Sequence, residues 1–214
     1  MNYSVVIVAA GSGTRMGLGY NKVYAKLQDG EYIIEKSIHT FLQDEDCKQV
    51  VIVTDPLTYR NKIQKRVVGK IVLCTGGKTR QESVYHGLEA VLEDVVFIHD
   101  GARPYVSLEN IQSLKNAMET EQAAILGIPC KDTIKKAVDG YIVETYDRSL
   151  LIAAQTPQVF NTELLIDCYE AAMKDGYLGT DDASLVEKYS SQKIKVVTGS
   201  EENIKITTKN DLRM

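Results

Sequence analysis

The stretch Val5-Val6-Ile7-Val8-Ala9 is followed directly by Ala10-Gly11-Ser12-Gly13-Thr14-Arg15-Met16-Gly17, and Lys22 comes soon after. The apolar run has the length and composition of a strand that is covered on both faces. Glycines let backbone N–H groups come close to a phosphate, and Arg15 and Lys22 add positive charge. Ligands of open α/β sheets bind beyond the carboxyl ends of the strands. The stretch therefore predicts a strand that ends in an anion-binding loop, with a plain strand–helix turn as the alternative.

Two familiar phosphate-binding motifs do not fit this sequence. Gly11, Gly13 and Gly17 are spaced one residue more widely than the dinucleotide fingerprint, and no acidic residue ends a second strand about 20 residues further on. The run Gly76-Gly77-Lys78-Thr79 resembles the end of a P-loop, but Val72 stands where that motif requires glycine. Both NAD binding and a P-loop are therefore disfavoured.

Strand-like and helix-like segments alternate along the rest of the chain. Apolar runs of strand length occur at residues 50–54, 71–74 and 95–99, and residues 193–197 predict a last strand. Apolar residues recur at helical spacing in three sets, namely Ile34, Ile38, Phe41 and Leu42, then Val84, Leu88, Val91 and Leu92, then Ile111, Leu114 and Met118 behind a capping Ser107. Two more helices are predicted, at Thr162–Lys174 and at residues 181–189 behind a capping Thr180. This alternation is typical of an α/β fold with a mainly parallel sheet.

The pattern changes at residues 131–145. Two short runs with β-branched residues flank Asp139-Gly140, a dipeptide that favours a tight hairpin turn. An antiparallel hairpin inside an alternating chain predicts an arm that leaves the sheet. We therefore expect one domain, residues 1–214, with an arm at about 131–145.

Composition excludes several classes of protein. The chain has 214 residues, of which 44 % are hydrophobic, and a net charge of −4 from 25 basic and 29 acidic residues. That apolar content is enough for a full core, which argues against a disordered, collagen-like or disulfide-scaffold protein. The mild acidity argues against binding to nucleic acid or to a membrane surface, since both require a basic face. No apolar run approaches the roughly 18 residues of a membrane span.

The cysteines predict a reducing environment. Cys47, Cys74, Cys130 and Cys168 are far apart and form no C-x-x-C pair. No cationic leader precedes the first strand, so that strand does not have the pattern of a signal peptide. We expect free thiols and a cytoplasmic protein.

Two further motifs contain candidate binding residues. Gly76-Gly77-x-x-Arg80-x-x-Ser83 opens a predicted helix, and the spacing of Arg80 and Ser83 places both on one helix face, suited to the edge of a base. His99-Asp100-Gly101-Ala102-Arg103 follows a strand, where Asp100 suits Mg²⁺ and Arg103 suits a phosphate. Each motif also has an ordinary explanation: a surface arginine with a serine in the first turn, and an Asp–Arg pair that braces a turn. His99 is expected to be structural.

The remaining motifs are informative only as a set. They are Arg148, Gln155-Thr156-Pro157-Gln158-Val159-Phe160, Thr180-Asp181-Asp182-Ala183 and Asn203-Ile204-Lys205-Ile206-Thr207. Alone, each has an ordinary explanation: surface charge, a proline turn, a helix cap and an exposed strand. In this order, together with the earlier motifs, they span residues 9–207, and the chain closely resembles the 2-C-methyl-D-erythritol 4-phosphate cytidylyltransferases.

This resemblance implies a Rossmann-like three-layer nucleotidyltransferase fold with a protruding hairpin arm. It implies a reaction in which CTP and 2-C-methyl-D-erythritol 4-phosphate give 4-diphosphocytidyl-2-C-methyl-D-erythritol and pyrophosphate, with Mg²⁺ as cofactor. In this family the arm crosses to a partner subunit, so a homodimer is also implied. Thr133 and Arg148 would then serve the neighbour's active site.

The resemblance also implies the roles of individual residues. It assigns catalysis to Arg15, Lys22, Arg148 and Lys205. It assigns nucleotide binding to Ala10, Gly11, Gly13, Gly77, Arg80, Ser83, Asp100 and Gly101, with Asp100 also at the metal. It assigns binding of the sugar phosphate to Arg103, Thr133, Arg148, Thr156, Thr180, Lys205 and Thr207.

Three alternatives remain open at this point. A cytidylyltransferase for ribitol 5-phosphate or another polyol phosphate would share the nucleotide site. A nucleotide sensor without catalysis could use the same fold, although Arg15 and Lys22 argue against it. A dinucleotide oxidoreductase is a distant third possibility.

Overall fold

The structure, a computed structural model, describes residues 1–11, 19–63 and 69–213. Its strands are β1 (Tyr3–Val8), β2 (Cys47–Thr54), β3 (Ile71–Thr75), β4 (Val95–Asp100), β5 (Ala123–Pro129), β6 (Lys135–Val138), β7 (Tyr141–Thr145), β8 (Ile152–Asn161) and β9 (Lys195–Thr198). Its α-helices are α1 (Ile33–Gln43), α2 (Pro56–Lys62), α3 (Arg80–Leu88), α4 (Leu108–Ala117), α5 (Thr162–Lys174) and α6 (Asp182–Tyr189). Short 3₁₀ turns occur at Lys22–Tyr24, Arg148–Leu150 and Asn210–Arg213.

The main sheet has seven strands in the order β3-β2-β1-β4-β8-β5-β9. The pairs β1–β2, β1–β4, β2–β3 and β5–β9 are parallel, whereas β8 runs antiparallel to both of its neighbours, β4 and β5. The chain moves from β1 to β2 and β3 on one side and then returns to β4 on the other. This reversal opens a crevice beyond the carboxyl ends of β1 and β4, where open α/β sheets bind their ligands.

Helices cover both faces of the sheet, which makes three layers. Val5 and Ile7 of β1 point into one buried cluster, together with residues of α1, α2 and α4. Val6 points into the opposite cluster, with residues of α3, α5 and α6. Successive strand residues face opposite sides, so a strand buried on both faces is apolar throughout. The prediction of an α/β fold with a mainly parallel sheet is confirmed.

The hairpin arm is present as a separate two-stranded sheet of β6 and β7. Asp139 and Gly140 have φ angles of 51° and 84°, so both adopt the left-handed conformation that a tight hairpin turn of this type requires. Every residue of the two strands is exposed. The arm therefore takes no part in the core of its own chain.

Helix α6 corrects one prediction from the sequence. Asp181, not Thr180, caps this helix, because its side chain accepts a hydrogen bond from the backbone N–H of Ser184 at 2.9 Å. The hydroxyl of Ser184 approaches the backbone N–H of Asp181 at 3.3 Å, which completes a capping box. Thr180 lies one residue outside the cap.

Strands β5 and β8 were not predicted from the sequence. β8 contains Thr156 and Pro157, which are joined by a cis peptide bond, although Pro157 by itself favours a turn. β5 contains alanines and a glycine, which have low strand propensity. Its first five residues are buried because β8 and β9 flank it, so tertiary context outweighs local preference.

Two further findings concern the helices and the cysteines of the chain. No helix in the described ranges is both long enough and apolar enough to span a membrane. All four cysteines are free thiols, and Cys47 and Cys168 are buried.

Candidate active site

A pocket of about 540 Å³ lies beyond the carboxyl ends of β1 and β4. Residues from both ends of the chain and from the starts of two helical segments meet there. Its lining consists of Val8, Ala9, Ala10, Gly11, Asn21, Lys22, Val23, Gly77, Lys78, Thr79, Arg80, Ser83, Asp100, Ala102 and Lys205. Eight residues that the sequence predicts to bind or react are in this set: Ala10, Gly11, Lys22, Gly77, Arg80, Ser83, Asp100 and Lys205.

One wall of the pocket is built from two closely approaching backbones. A Cβ atom on Gly76 would collide with the side chain of Ala10, so only glycine permits this contact. Next to it, the N–H of Gly77 donates to the Ser83 hydroxyl at 3.0 Å, and that hydroxyl donates to the carbonyl of Thr79 at 2.8 Å. This wall presents small residues and backbone atoms to the pocket, and a flat ring could lie against it.

Asp100 ends β4 and lies among three cations. Its carboxylate is 2.7 Å from Nζ of Lys205, 3.5 Å from Nε of Arg80 and 3.8 Å from Nε of Arg103. Burial by itself would favour the neutral acid, but Arg80, Lys205 and Arg103 together lower the pKa of Asp100 well below its usual range. The predicted ion pair between Asp100 and Arg103 is therefore present. It is the longest of the three contacts that the ionised carboxylate of Asp100 makes with cations.

Arg80 bridges Asp100 and a second, deeper carboxylate. Its Nη1 and Nη2 atoms donate to Oδ1 and Oδ2 of Asp182 at 3.1 and 2.8 Å. Burial would lower the pKa of the guanidinium, but Asp182 and Asp100 outweigh that effect and raise it. Asp182 was not recognised from the sequence as a site residue, although it is the second acid of the motif Thr180-Asp181-Asp182-Ala183.

Lys22 is held by the segment that contains Lys205. Its Nζ donates to the carbonyl of Ile206 at 2.6 Å, and the N–H of Ile206 donates to the carbonyl of Ala102 at 2.9 Å. Asn21, which was not singled out from the sequence, donates from Nδ2 to the carbonyl of Ala9 at 2.5 Å and caps the turn that starts at Lys22. These contacts join the first strand, the end of β4 and the C-terminal segment at one place.

Thr156 and His99 lie behind the pocket. The Thr156 hydroxyl accepts from the N–H of Asp100 at 3.0 Å and contacts Nδ1 of His99 at 3.2 Å. Burial lowers the pKa of His99 to about 4, so the imidazole is neutral near pH 7. Its Nε2 lies 3.0 Å from the carbonyl of Arg103. His99 therefore acts as a buried brace for the turn after β4, as expected from the sequence.

Other predicted site residues lie outside the pocket lining. Arg103 donates from Nη1 to the carbonyl of Asn203 at 2.6 Å, and the N–H of Gly101 donates to the carbonyl of Val8 at 2.9 Å. The Thr207 hydroxyl contacts Asp211 at 3.1 Å, and Thr180 is exposed beside α6.

Four further predicted site residues belong to the arm region and to the first loop. Thr133 and Arg148 are exposed at the arm, where Nη1 of Arg148 donates to the carbonyl of Lys131 at 2.8 Å. Neither residue lines the pocket of its own chain. Gly13 and Arg15 lie outside the described residues, so their roles stay predictions.

The sheet order, the three layers and a cation-rich pocket at the switch point define an α/β nucleotidyltransferase. The crystal structure of 2-C-methyl-D-erythritol 4-phosphate cytidylyltransferase from Francisella tularensis is similar to this chain, with a TM-score of 0.86 and 33 % identity over 99 % of this chain and 97 % of that one. The family model described as 2-C-methyl-D-erythritol 4-phosphate cytidylyltransferase matches residues 3–214. The chain belongs to this family.

Two curated relatives of that name support this assignment. The protein from Geobacillus kaustophilus is 44 % identical over 99 % of this chain and 94 % of its own length. The protein from Clostridioides difficile is 45 % identical over 99 % of this chain and 91 % of its own length.

Proposed function

We propose that the pocket beyond β1 and β4 is the active site at which this chain carries out the reaction of its family. The chain is a CTP-dependent nucleotidyltransferase that joins CTP and 2-C-methyl-D-erythritol 4-phosphate. The products are 4-diphosphocytidyl-2-C-methyl-D-erythritol and pyrophosphate. The observation that carries the proposal is that Lys22, Arg80 and Lys205 line one crevice, where Arg80 and Lys205 also contact Asp100.

The chemistry requires charge compensation and no general base. An oxygen of the sugar phosphate attacks the α-phosphorus of CTP, and the bond from that phosphorus to the bridging oxygen of pyrophosphate breaks. A phosphate monoester has a second pKa near 6, so the nucleophile is largely a dianion at neutral pH. Two unit charges about 4 Å apart repel by roughly 4 kcal/mol at an effective dielectric constant of 20. Fixed cations that offset this repulsion at the transition state are therefore the main source of catalysis.

We assign that role to cations from distant parts of the chain. Lys22 and Arg15 would hold the triphosphate and stabilise the charge that develops on it. Lys205 would hold the sugar phosphate, with Arg103, Thr156, Thr180 and Thr207 around that group. Lys22 and Lys205 both line the pocket beyond the carboxyl ends of β1 and β4, which supports a shared role against the charge of the two phosphate groups.

The nucleotide would occupy the glycine-lined wall. Gly11, Gly77, Arg80 and Ser83 would select the cytosine, and Ala10 would also hold the nucleotide. Gly13 and Gly101 complete the set that we assign to the nucleotide. A wall of backbone groups and one hydroxyl suits recognition of a base edge, because these groups offer donors and acceptors at fixed positions.

We propose Mg²⁺ as the cofactor and Asp100 as its protein ligand. Magnesium prefers carboxylate and phosphate oxygens and usually binds through one or two carboxylates plus substrate phosphates. The ionised carboxylate of Asp100 in the pocket fits that preference. No cluster of three or more potential metal-binding side chains occurs in the described ranges, so the substrate phosphates would supply the other ligands. When bound, the metal would neutralise part of the phosphate charge.

We also propose that the enzyme is a homodimer whose arms exchange between subunits. The arm exposes large hydrophobic side chains of a kind that is usually buried: Tyr141 is 77 % exposed and Ile142 is 66 % exposed. A second copy of this chain would cover them. Thr133 and Arg148 would then enter the pocket of the partner, which accounts for their distance from their own pocket.

The remaining assignments follow the sequence. We propose a single domain over residues 1–214 and a cytoplasmic location, and the four free thiols support the latter.

The test is release of pyrophosphate from CTP with Mg²⁺ and 2-C-methyl-D-erythritol 4-phosphate. We expect turnover with this alcohol phosphate and little with ribitol 5-phosphate. Efficient turnover with ribitol 5-phosphate alone would contradict the proposed acceptor. Binding of CTP without release of pyrophosphate from either acceptor would contradict an enzymatic role.

A further inference from the structure

Behind the pocket wall, Asp182 and Tyr169 form a buried support for Arg80. Asp182 is fully buried in the first turn of α6, and Tyr169 on α5 is 1 % exposed. Each oxygen of the Asp182 carboxylate accepts from one terminal nitrogen of Arg80, at 3.1 and 2.8 Å. The Tyr169 hydroxyl also donates to Oδ1 of the same carboxylate. Helix α3 thus meets the consecutive helices α5 and α6 at one carboxylate.

Arg80 is the member of this cluster that reaches the pocket. Its side chain is 32 % exposed and lines the cavity, whereas Asp182 and Tyr169 do not line it. Two parallel N–H···O bonds define the plane of a guanidinium as well as its position. The carboxylate of Asp182 therefore determines which edge of Arg80 remains available to a ligand.

Asp100 competes for the same guanidinium. It lies 3.5 Å from Nε of Arg80, and it also contacts Lys205 and Arg103. Without Asp182, Arg80 would keep Asp100 as its only carboxylate neighbour among the described residues and would turn towards it. That movement would change which edge of the Arg80 guanidinium faces the nucleotide.

We propose that Asp182, supported by Tyr169, is a positioning residue that holds Arg80 in the orientation in which it binds the nucleotide. This inference rests on the proposed nucleotide-binding role of Arg80. A buried ion pair contributes little net stability compared with apolar packing of the same volume, whereas it does impose a defined geometry. A precise binding group needs such a second layer of support.

The main test is the Asp182→Asn variant, assayed for both substrates. Loss of a charge-assisted hydrogen bond weakens binding by roughly ten- to hundredfold. We therefore expect the KM for CTP to rise by about that factor. The KM for the sugar phosphate should stay close to the wild-type value, because Arg80 faces the nucleotide. In an Arg80→Ala background, Asp182→Asn should raise the KM for CTP no further.

Asp181→Asn is the matched control. It removes the same charge one residue away, and asparagine caps helices as well as aspartate does. Asp181 contacts Ser184 and Gln158 and makes no contact with Arg80. We expect this variant to bind CTP like the wild type.

Tyr169→Phe keeps the inference testable if Asp182→Asn does not fold. It removes one hydroxyl from the cluster and should raise the KM for CTP in the same direction, by a smaller factor. A lower melting temperature with an unchanged KM for CTP in either variant would overturn the inference, as would full additivity with Arg80→Ala. Failure of the proposed function would differ: the wild type itself would release no pyrophosphate, while calorimetric titration with CTP would still test the positioning of Arg80.

Discussion

Nζ of Lys205 lies 2.7 Å from Oδ2 of Asp100, so the segment after β9 is tied to the end of β4 in the centre of the sheet. Lys22 reaches the same segment through the carbonyl of Ile206. Two of the cations that line the pocket, Lys22 and Lys205, are thus already held in place by one carbonyl and one carboxylate. Preorganised charges of this kind act on a transition state without further reorganisation.

Lys22→Ala should lower kcat by about 10²–10³, the usual cost of removing one preorganised charge. The fold should remain intact, because the side chain lies in the pocket and outside both main clusters of the core. The measurement is kcat together with the melting temperature. Lys26→Ala, which removes an exposed lysine near the ring of Tyr32, is the control. Near-normal turnover of Lys22→Ala would remove Lys22 from the mechanism.

Lys205→Ala should raise the KM for the sugar phosphate by roughly ten- to hundredfold, because a charged partner of that phosphate is lost. The KM for CTP should change less. Initial rates with each substrate varied in turn would measure both constants. Lys193→Ala, at an exposed position before β9, removes the same charge outside the pocket and should behave like the wild type. An effect confined to CTP would contradict the assignment of Lys205.

Exchange of arms predicts that two inactive variants restore each other. In a mixed dimer of Lys22→Ala and Arg148→Ala subunits, one site has both lesions and the other has neither. Random mixing after dissociation and reassociation should therefore restore about a quarter of the wild-type activity. Each variant treated alone in the same way provides the baseline. No recovery, with mixed dimers demonstrated by a tag on one subunit, would contradict the exchange.

Asp211 should position the segment that includes Lys205. Its carboxylate accepts from the backbone N–H groups of Thr207 and Thr208 at 2.7 and 2.8 Å, and these bonds lower its pKa from 3.8 to about 2. Asp211→Asn should therefore raise the KM for the sugar phosphate and reduce stability at pH 7.

The pH dependence of this effect has a defined sign. A carboxylate whose pKa is lower in the folded state contributes stability above its unfolded pKa and loses it as the pH falls through the folded value. The stability difference between wild type and Asp211→Asn should thus be constant near neutral pH and shrink between about pH 4 and pH 2. Urea unfolding at several pH values would measure it. A stability difference between wild type and Asp211→Asn that grows as the pH falls would contradict the stabilising role assigned to the Asp211 carboxylate.

Local sequence signals predicted much of the fold. The apolar run that became β1 and the Asp139-Gly140 turn of the arm depend on periodicity and turn chemistry within a few residues. β8 could not be found this way, because Pro157 favours a turn in isolation. In the sheet it lies at an irregularity of the β5–β8 pairing, between the pairs Gln158–Ile125 and Ala154–Gly127. The predicted cap of α6, Thr180, differs by one residue from the observed cap, Asp181, because both residue types are good caps.

The sequence by itself determined the alternation of strands and helices that specifies an α/β fold, the close backbone approach at Gly76 and the turn of the arm, because a few residues close together in the chain encode each of these features. Tertiary structure alone decided that Asp182 supports Arg80 and that the carbonyl of Ile206 holds Lys22. Such contacts join residues that are distant in sequence, and no local pattern specifies a partner. They form only when packing of the sheet and its helices brings the chain segments together.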